Sequence, residues 1–453
     1  MKSKGRLRKL RIFIAGGIVS LGVSSALAQS EERVLYSFQG GNDGAFPGGV
    51  LISDKLGNLY GTTNEGGSTA CTPGWCGIVF RLSRPVRSGG AWAETVIYVF
   101  KGYAQNDGSA PSGGLLADSA GNMYGVTNYG GSGSCVLTGP TGCGTVFKLT
   151  PPIVEGETWS ETVLYNFQGG SDGNLPIGQL AFDPAGNLYG VTEFGGGQGT
   201  TCDFFYGGNC GTVFELSPPE TDGGQWTETI LHSFAGETDG AVPNQGLNLD
   251  SRGAIYGTTS MGGNQLCDFG IGNVGCGVVF KLIPPKPEGR AWAEDLWRFN
   301  YGFEGGGPDS VTFNSDGVLF GAAASGGSAL DGLIFQLASS AEGKLAESVL
   351  YNFTGSQDGD GPVGVTFDRS GKMYGTAFGG ITGRGTVFRL SRTQSGNFWS
   401  FVLLHNFTGP ADGHWPQDGL LFDKAGNMYG TTLGGGSGTS CTNGCGTVYQ
   451  IHP

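Results

Sequence analysis

A stretch that returns in modified form along the chain decides the fold. Residues 161–216 read ETVLYNFQGGSDGNLPIGQLAFDPAGNLYGVTEFGGGQGTTCDFFYGGNCGTVFEL. Four short apolar runs alternate here with segments rich in Gly, Asn and Asp, the residues that tight turns favour. Runs of this length between turn residues predict β-strands. The stretch therefore predicts one unit of four antiparallel strands.

The Tyr-Gly dipeptide in the second run of this unit marks the other copies. Its tyrosine is found at Tyr60, Tyr124, Tyr189, Tyr256, Tyr374 and Tyr429. Phe320-Gly321 is a degenerate seventh copy, and an Asp-x-x-Gly turn or its Asn variant precedes every one. No helical period of ten or more residues follows residue 28. Seven such units predict an all-β, seven-bladed β-propeller of four-stranded antiparallel blades. A β-solenoid is the alternative, but its repeats are usually much shorter.

The order of the strand types predicts how the ring closes. After residue 28 the chain opens with a fourth-type strand, residues 34–38, and it ends on a third-type strand, residues 446–451. The N-terminal strand can complete the last blade and cover a sheet edge that would otherwise be exposed. We therefore expect residues 29–453 to form one domain.

The repeated segments resemble the GloVer tandem repeat of secreted bacterial proteins, over residues 34–451. That family is often called choice-of-anchor, because its members carry varied C-terminal sorting signals. The resemblance implies an exported repeat protein with no established enzymatic activity. The chain shows no recognisable anchor of this kind. The Asp-x-x-Gly-Asn-Leu-Tyr-Gly-Thr segment also resembles, more weakly, the blade motif of sensor-type periplasmic propellers.

The first 28 residues have the pattern of a secretory signal peptide. Six basic residues are followed by the apolar residues 12–23 and by the small-residue site Ala26-Leu27-Ala28. We expect cleavage there and a secreted or periplasmic product with no stable membrane anchor. An uncleaved anchor is the alternative, but the apolar stretch is shorter than the ~20 residues of a membrane span.

The charge of the chain excludes one class of partner. The whole chain carries −13, and loss of the six basic residues of the signal leaves −19. So acidic a protein lacks the cationic surface that neutralises phosphates, which argues against a nucleic-acid partner. We expect a monomer.

Ten cysteines fall in five close pairs. With an export signal, this pattern predicts disulfides. Zinc would require a closer Cys spacing or nearby histidines, and these pairs have neither. Each pair lies in a long loop between the second and third strands, and the two short loops have none. We expect each disulfide to restrict a loop that has no core of its own. The pairs are Cys71/Cys76, Cys135/Cys143, Cys202/Cys210, Cys267/Cys276 and Cys441/Cys445.

The long second-to-third loops that carry a cysteine pair, here called the stapled loops, also contain aromatic residues. These residues are candidates for ligand binding. A loop without its own core buries aromatics with difficulty, and exposed rings suit sugars or an apolar partner surface. Packing within the loops is the alternative reading. These candidates are Trp75, Phe204, Phe205, Tyr206 and Phe269.

The loops between blades repeat Asp-Gly followed by Pro in six units. The fifth unit departs from this, reading Gly305-Gly306-Gly307-Pro308-Asp309. Six carboxylates around one mouth could coordinate Ca²⁺, but ordinary turn chemistry is the stronger explanation of the motif, because no unit has a dense Asp-x-Asp-x-Asp loop. In this loop set Asp412, His414 and Trp415 are further ligand-binding candidates, with His414 the candidate acid–base group. His232 and His405 are interpreted as repeat variants at the position of Asn166 and Asn352.

Three functions are consistent with these features. The first is a secreted, non-enzymatic protein that binds an extracellular glycan or protein on the face of the stapled loops. The second is a hydrolase or lyase acting on polysaccharide, with acids near Asp412 and His414 at the channel mouth. The third is a structural envelope protein. No catalytic residue is assigned, and apart from Ca²⁺ no cofactor is expected.

Overall fold

A computed structural model describes most of the chain after residue 29. The described residues are 30–68, 71, 76–87, 89–135, 141–154, 156–197, 202, 209–221, 223–264, 267, 274–285, 291–339, 345–393 and 398–452. The predicted signal peptide and the candidates Trp75, Phe204, Phe205, Tyr206 and Phe269 lie outside these residues. No helix in the described part is long and apolar enough to cross a membrane.

The described residues form seven antiparallel sheets arranged as a ring of blades, which confirms the predicted propeller. The chain begins with β1 (Glu32–Ser37). Blades 1 to 3 are β2 (Ala45–Ser53), β3 (Leu59–Glu65), β4 (Ile78–Ser83) and β5 (Ala93–Val99); β6 (Gly108–Ala117), β7 (Met123–Gly130), β8 (Thr145–Thr150) and β9 (Ser160–Asn166); and β10 (Asn174–Phe182), β11 (Leu188–Phe194), β12 (Thr212–Ser217) and β13 (Thr227–Ser233).

The first strand of blade 4 is broken into two short pieces, which both pair with its second strand. Blade 4 is β14 (Ala241–Pro243), β15 (Asn248–Leu249), β16 (Ile255–Met261), β17 (Val278–Ile283) and β18 (Ala293–Arg298). Blades 5 to 7 are β19 (Gly306–Phe313), β20 (Leu319–Ser325), β21 (Leu333–Ser339) and β22 (Leu345–Asn352); β23 (Pro362–Phe367), β24 (Met373–Ala377), β25 (Thr386–Arg392) and β26 (Trp399–Asn406); and β27 (His414–Phe422), β28 (Met428–Gly434) and β29 (Thr447–Ile451).

The seventh sheet takes its fourth strand from the start of the described chain. β1 pairs antiparallel with β29, so that Val34 lies opposite Tyr449 and Glu32 opposite Ile451. The sheet order is β1-β29-β28-β27. β27 and β28 also contact β2 of the first blade, as neighbouring blades do elsewhere around the ring.

The two residues of the repeated Tyr-Gly dipeptide have different structural roles. The hydroxyl of Tyr189 donates to Asp183 at 3.2 Å and so fastens the preceding turn. At Gly190 a Cβ atom would lie 2.5 Å from the ring of Phe214, so the glycine makes room for that fully buried side chain. Phe214 in turn meets Phe167 of the preceding blade edge-on, with ring centroids 5.2 Å apart. This packing recurs in every blade and forms the core between blades.

A second repeated contact joins each interblade loop to the blade before it. The residue preceding the loop proline donates its N–H to a carbonyl in the previous second-to-third loop, and the proline packs on the glycine that follows this carbonyl. Between blades 2 and 3 these partners are Leu175 with Cys143 at 3.1 Å, and Pro176 with Gly144. Between blades 7 and 1 they are Phe46 with Cys445 at 2.8 Å, and Pro47 with Gly446. We call this pair of contacts, the N–H to carbonyl hydrogen bond and the packing of proline on glycine, the interblade lock. The interblade lock is also present at the junction between the two ends of the chain.

The fifth unit keeps this loop despite its different sequence. Glu304, at the end of a single 3-10 turn, stands where the other units have Asp, and Gly305 and Pro308 follow in their usual places. The unit therefore departs from the pattern in its residue, with Glu in place of Asp, but keeps the position of the acid in the loop.

The first strands line a central channel. A cavity of about 240 Å³ there is bounded by residues from all seven blades. Its lining is Val50, Gly114, Gln179, Gln245, Gly246, Leu247, Asn248, Ser310, Val311, Thr312, Val365, Thr366, Gly419 and Leu420. None of these residues carries an ionisable side chain.

Candidate functional site on the loop face

The second-to-third loops and the interblade loops share one face of the ring, as predicted. The backbone hydrogen bonds of the interblade lock join the two loop sets directly. All five predicted disulfides are present, with Cα atoms 5.0 to 5.4 Å apart. The carbonyls that accept the lock hydrogen bonds belong to the second cysteine of a pair in five of the seven junctions. The disulfides therefore stabilise the loops that hold neighbouring blades together.

The second cysteine of each pair lies in the interior, although it ends a loop. This cysteine has no exposed surface in any pair. The five buried residues are Cys76, Cys143, Cys210, Cys276 and Cys445. They are therefore part of the interior and offer no surface to a ligand.

The place of these cysteines in the repeat explains their burial. Each one directly precedes the glycine that opens the third strand, where the interblade loop of the next blade covers it. The carbonyls of Cys76, Cys210 and Cys276 accept the lock hydrogen bond at 3.0, 2.9 and 2.9 Å, from Ala110, Val242 and Gly307 respectively. Each disulfide thus ties its loop to the contact between two blades.

The residue before the loop proline adopts a left-handed backbone at every junction. The non-glycine cases have φ between 50° and 60°, a conformation that costs free energy and persists only where contacts hold it. Ala110, Leu175 and Val242, which follow long stapled loops, are buried. Gly361 and Trp415 follow the two short loops. Trp415 is thus the one large side chain at this position beside a short loop, and it is 40% exposed.

Other exposed apolar side chains lie on the same short loops. Leu330 in blade 5 and Phe378 and Ile381 in blade 6 are each at least 40% exposed. We call these three residues and Trp415 the short-loop patch. Backbone hydrogen bonds connect the loops that carry these residues. The N–H of Gly361 donates to the carbonyl of Asp331, and the carbonyl of Gly361 accepts from the N–H of Phe378. The N–H of Trp415 donates to the carbonyl of Arg384 at 2.8 Å.

The two polar candidates beside Trp415 have separate surroundings. The carboxylate of Asp412 accepts hydrogen bonds from His405 and from the 408–409 backbone, and these bonds lower its pKa to about 2 against the opposing effect of burial. His414 is only 3% exposed and packs against Gly434, with its ring edge-on to Trp415 at 4.5 Å. Burial lowers the pKa of His414, and the nearby Arg384 charge adds to this. The candidate acid–base histidine is therefore buried, with its pKa below the value of a free imidazole.

The family can be assigned from a sequence comparison. The model of the Gloeobacter/Verrucomicrobia repeat matches residues 15–202, 132–344 and 268–453, three overlapping segments that together cover nearly the whole chain. The chain belongs to this repeat family. No curated protein sequence matches it significantly.

Solved structures that resemble this Gloeobacter/Verrucomicrobia repeat protein are distant. A luciferin-regenerating enzyme is 13% identical, with a TM-score of 0.44 over 76% of this chain and 91% of that one. A gluconolactonase from Xanthomonas campestris is 17% identical, with a TM-score of 0.36 over 68% of this chain and 78% of that one.

The repeat protein has a further set of polar sites that the sequence analysis did not identify. Each interblade-loop acid faces the outer strand of the blade before it. In six of the seven junctions the acid also lies near a glutamate on the outer strand of the blade after it, and at the junction of blades 5 and 6 Phe401 takes the place of this glutamate. Between blades 1 and 2, Asp107 accepts from the hydroxyl of Tyr98 at 2.8 Å and from the N–H of Lys101 at 2.9 Å. The acids thus fasten separate junctions and do not converge on one central mouth. We call these places the junction sites.

The glutamates at the junction sites are strongly perturbed. Burial, and then the charge of the neighbouring Asp, raises the pKa of Glu94, Glu161 and Glu228 to about 7. In each of them one carboxylate oxygen is buried without a hydrogen-bond partner. The unfavourable environment of the charged form explains the direction of the shift.

His232 and His405 occupy the tyrosine position of the junction sites. His232 lies opposite Val213, as Tyr165 lies opposite Val146 in the blade before. The interpretation that these histidines stand in place of Asn166 and Asn352 is wrong by one residue. They are side chains of the junction sites, where a tyrosine binds the loop acid in four other junctions.

Proposed function

We propose that this protein is an exported, non-enzymatic propeller that binds a glycan at the short-loop patch. The observation that carries the proposal is the ring of Trp415, exposed on a backbone held rigidly by its hydrogen bond to Arg384. A ring fixed before binding loses little conformational freedom when a ligand stacks on it. Sugar rings have apolar faces that suit such a platform.

Polar groups on the same loops complement an aromatic platform. Asp331 and Asp360 lie on the loops of the patch, and burial followed by the charge of Asp331 raises the pKa of Asp360. Carboxylates and the Arg384 guanidinium can accept and donate hydrogen bonds to sugar hydroxyls. An apolar platform with a few polar groups around it is the usual composition of a small-ligand site.

The five disulfides support export, because such bonds form and persist in oxidising compartments. The signal-like residues 1–28 agree with this location. The burial of His414 and the hydrogen bonds of Asp412 favour a binding role for this loop over acid–base chemistry.

A binding assay with matched variants tests the proposal. Glycan-array screening of the whole chain, followed by calorimetry on the glycans that bind, gives the dissociation constants. We expect Trp415→Ala to weaken binding at least tenfold, about 1.4 kcal/mol. Phe398→Ala is the control, because Phe398 is an exposed aromatic residue on the opposite face. Equal losses in the two variants, turnover of the glycan, or binding to no glycan would each contradict the proposal.

A further inference from the structure

The junction site between blades 3 and 4 combines one His, one Asp and one Glu, a set that it shares with the site between blades 6 and 7, which has His405, Asp412 and Glu32. The two sites differ in how closely these side chains approach one another. His232 at the end of β13, Asp239 in the interblade loop and Glu294 on β18 converge there. Their donor atoms all lie within 4.8 Å of one another. No other group of three such residues in the described part of the chain is this close.

The position of the imidazole nitrogen is the informative detail. Nε2 of His232 lies 3.4 Å from Asp239 Oδ2 and 3.2 Å from Glu294 Oε1, yet it is buried and makes a hydrogen bond to neither. In the site between blades 6 and 7, by contrast, Nε2 of His405 makes a 3.0 Å hydrogen bond to Asp412. The two histidines occupy the same place in the repeat but not the same bonding geometry.

We propose that His232, Asp239 and Glu294 bind a divalent first-row transition metal ion such as Zn²⁺. The ligand set of one imidazole and two carboxylates suits Zn²⁺, and imidazole disfavours Ca²⁺ and Mg²⁺. Two ligand atoms bound tetrahedrally at ~2.0–2.1 Å are ~3.3 Å apart, close to both observed nitrogen–oxygen distances. An ion between these atoms would use the nitrogen that otherwise has no hydrogen bond.

Charge and access agree with a cation at this site. The two carboxylates supply the two negative charges that balance a divalent ion. The three side chains keep 18 to 23% of their surface exposed, so an ion can reach them from solvent. Asp239 is held by the N–H groups of Ala235 and Gly236, and these bonds orient its carboxylate. The nearby guanidinium of Arg298 binds the Thr238 carbonyl.

The sister sites explain why the other junctions are not candidates. Four of them have a tyrosine in place of the histidine, and its protonated hydroxyl donates to the loop acid. The site between blades 4 and 5 has Trp297, which offers no ligand atom. The other junction sites can therefore serve as internal controls for metal binding at His232, Asp239 and Glu294.

The test uses the whole chain, stripped with a chelator and titrated with Zn²⁺ in a calorimeter and with Co²⁺ in a spectrophotometer. We expect one equivalent to bind and Co²⁺ to show the visible absorption of a tetrahedral site. His232→Gln should weaken Zn²⁺ binding at least 100-fold, whereas the matched variant His405→Gln should stay within twofold of the parent chain. Zn²⁺ should also raise the melting temperature of the parent and of His405→Gln only.

Glu294→Gln provides a second route if His232→Gln fails to fold, and it should weaken Zn²⁺ binding at least tenfold. Circular dichroism of the metal-free variants shows whether each one is folded. Absence of stoichiometric binding, or equal weakening by His232→Gln and His405→Gln, would overturn the proposal. Because the site lies away from the short-loop patch, glycan binding by Trp415 is a separate readout.

Discussion

Each raised glutamate pKa at a junction site makes the free energy of unfolding depend on pH, as Glu161 shows. Burial, followed by the Asp107 charge, raises the pKa of Glu161 from 4.5 to about 7. Between these two pH values the native chain holds a proton that the unfolded chain has released. The contribution of Glu161 to stability is therefore full below pH 4.5 and is lost as the pH rises through 7.

Replacing this residue by its neutral analogue should remove the loss. At pH 8 we expect Glu161→Gln to raise the free energy of unfolding by about 1 kcal/mol, since solvent screening limits the effect of a half-buried charge. Near pH 4.5 the change should be close to zero. Urea unfolding at both pH values measures it, with the exposed Glu157→Gln as the control. An equal gain at both pH values would mean that the effect is not electrostatic.

The sequence predicted the Asp residues of these sites but not their surroundings. Asp107 was identifiable because Asp-Gly and Pro recur in each unit. Glu161 stands 54 residues later in the chain, and only the packing of one blade on the next brings its carboxylate near Asp107. The histidine positions were missed for a similar reason, because strand pairing, with Val213 opposite His232, fixes their alignment.

At the scale of strands and loops, the glycine that opens each third strand is a contact between blades. Gly211 has φ of 95°, and a Cβ there would lie 2.4 Å from the Thr192 carbonyl oxygen and 2.6 Å from Pro243 of the next blade. Gly186, in a turn between first and second strands, has φ of 91° but nothing within 4 Å of an added Cβ. The two positions share the backbone conformation and differ in packing.

This pair of glycines separates the cost of the backbone conformation from the cost of close packing at the junction. We expect Gly186→Ala to destabilise by ~1 kcal/mol through its positive φ alone. Gly211→Ala should cost ~3 kcal/mol or more, because the methyl group must also displace the Thr192 carbonyl of its own blade and Pro243 of the next. Urea unfolding of both variants gives the difference. Equal costs would show that the lock contributes nothing beyond local conformation.

The Asp-Gly…Pro motif of the interblade loops was predicted as turn chemistry. The spacing of its residues along the chain does not reveal that its proline contacts the preceding blade. Gly211 and Pro243 each look like ordinary turn residues in their own unit. Their contact follows from the ring, which sets the loop of one blade against the strand opening of another. The burial of Cys210 beside them has the same origin, since its cover comes from the next blade. The number of blades, the disulfide pairs and the shared face were predictable because they repeat with the sequence period.

At the scale of the whole molecule, two kinds of contact hold the first and last blades together. One is the lock of Phe46 and Pro47 on the loop before β29, which is identical in kind to the other six. The other is the pairing of β1 with β29, which adds the buried side chains of Leu35 and Phe38. Without β1, the backbone of β29 would be an open sheet edge.

A truncation measures what β1 contributes. A chain that starts at Gln39 should melt on the order of 10 °C below one that starts at Ser30, because it loses two buried side chains worth ~2–3 kcal/mol each and a row of strand hydrogen bonds. Adding a peptide of residues 30–39 should restore part of the melting temperature in a concentration-dependent way, since it binds only the native chain. The same peptide with Phe38→Ala is the control, because its ring no longer fills the space beside Phe80. If the shorter chain melts at the temperature of the longer one, the remaining lock is sufficient and β1 does not hold the ring shut.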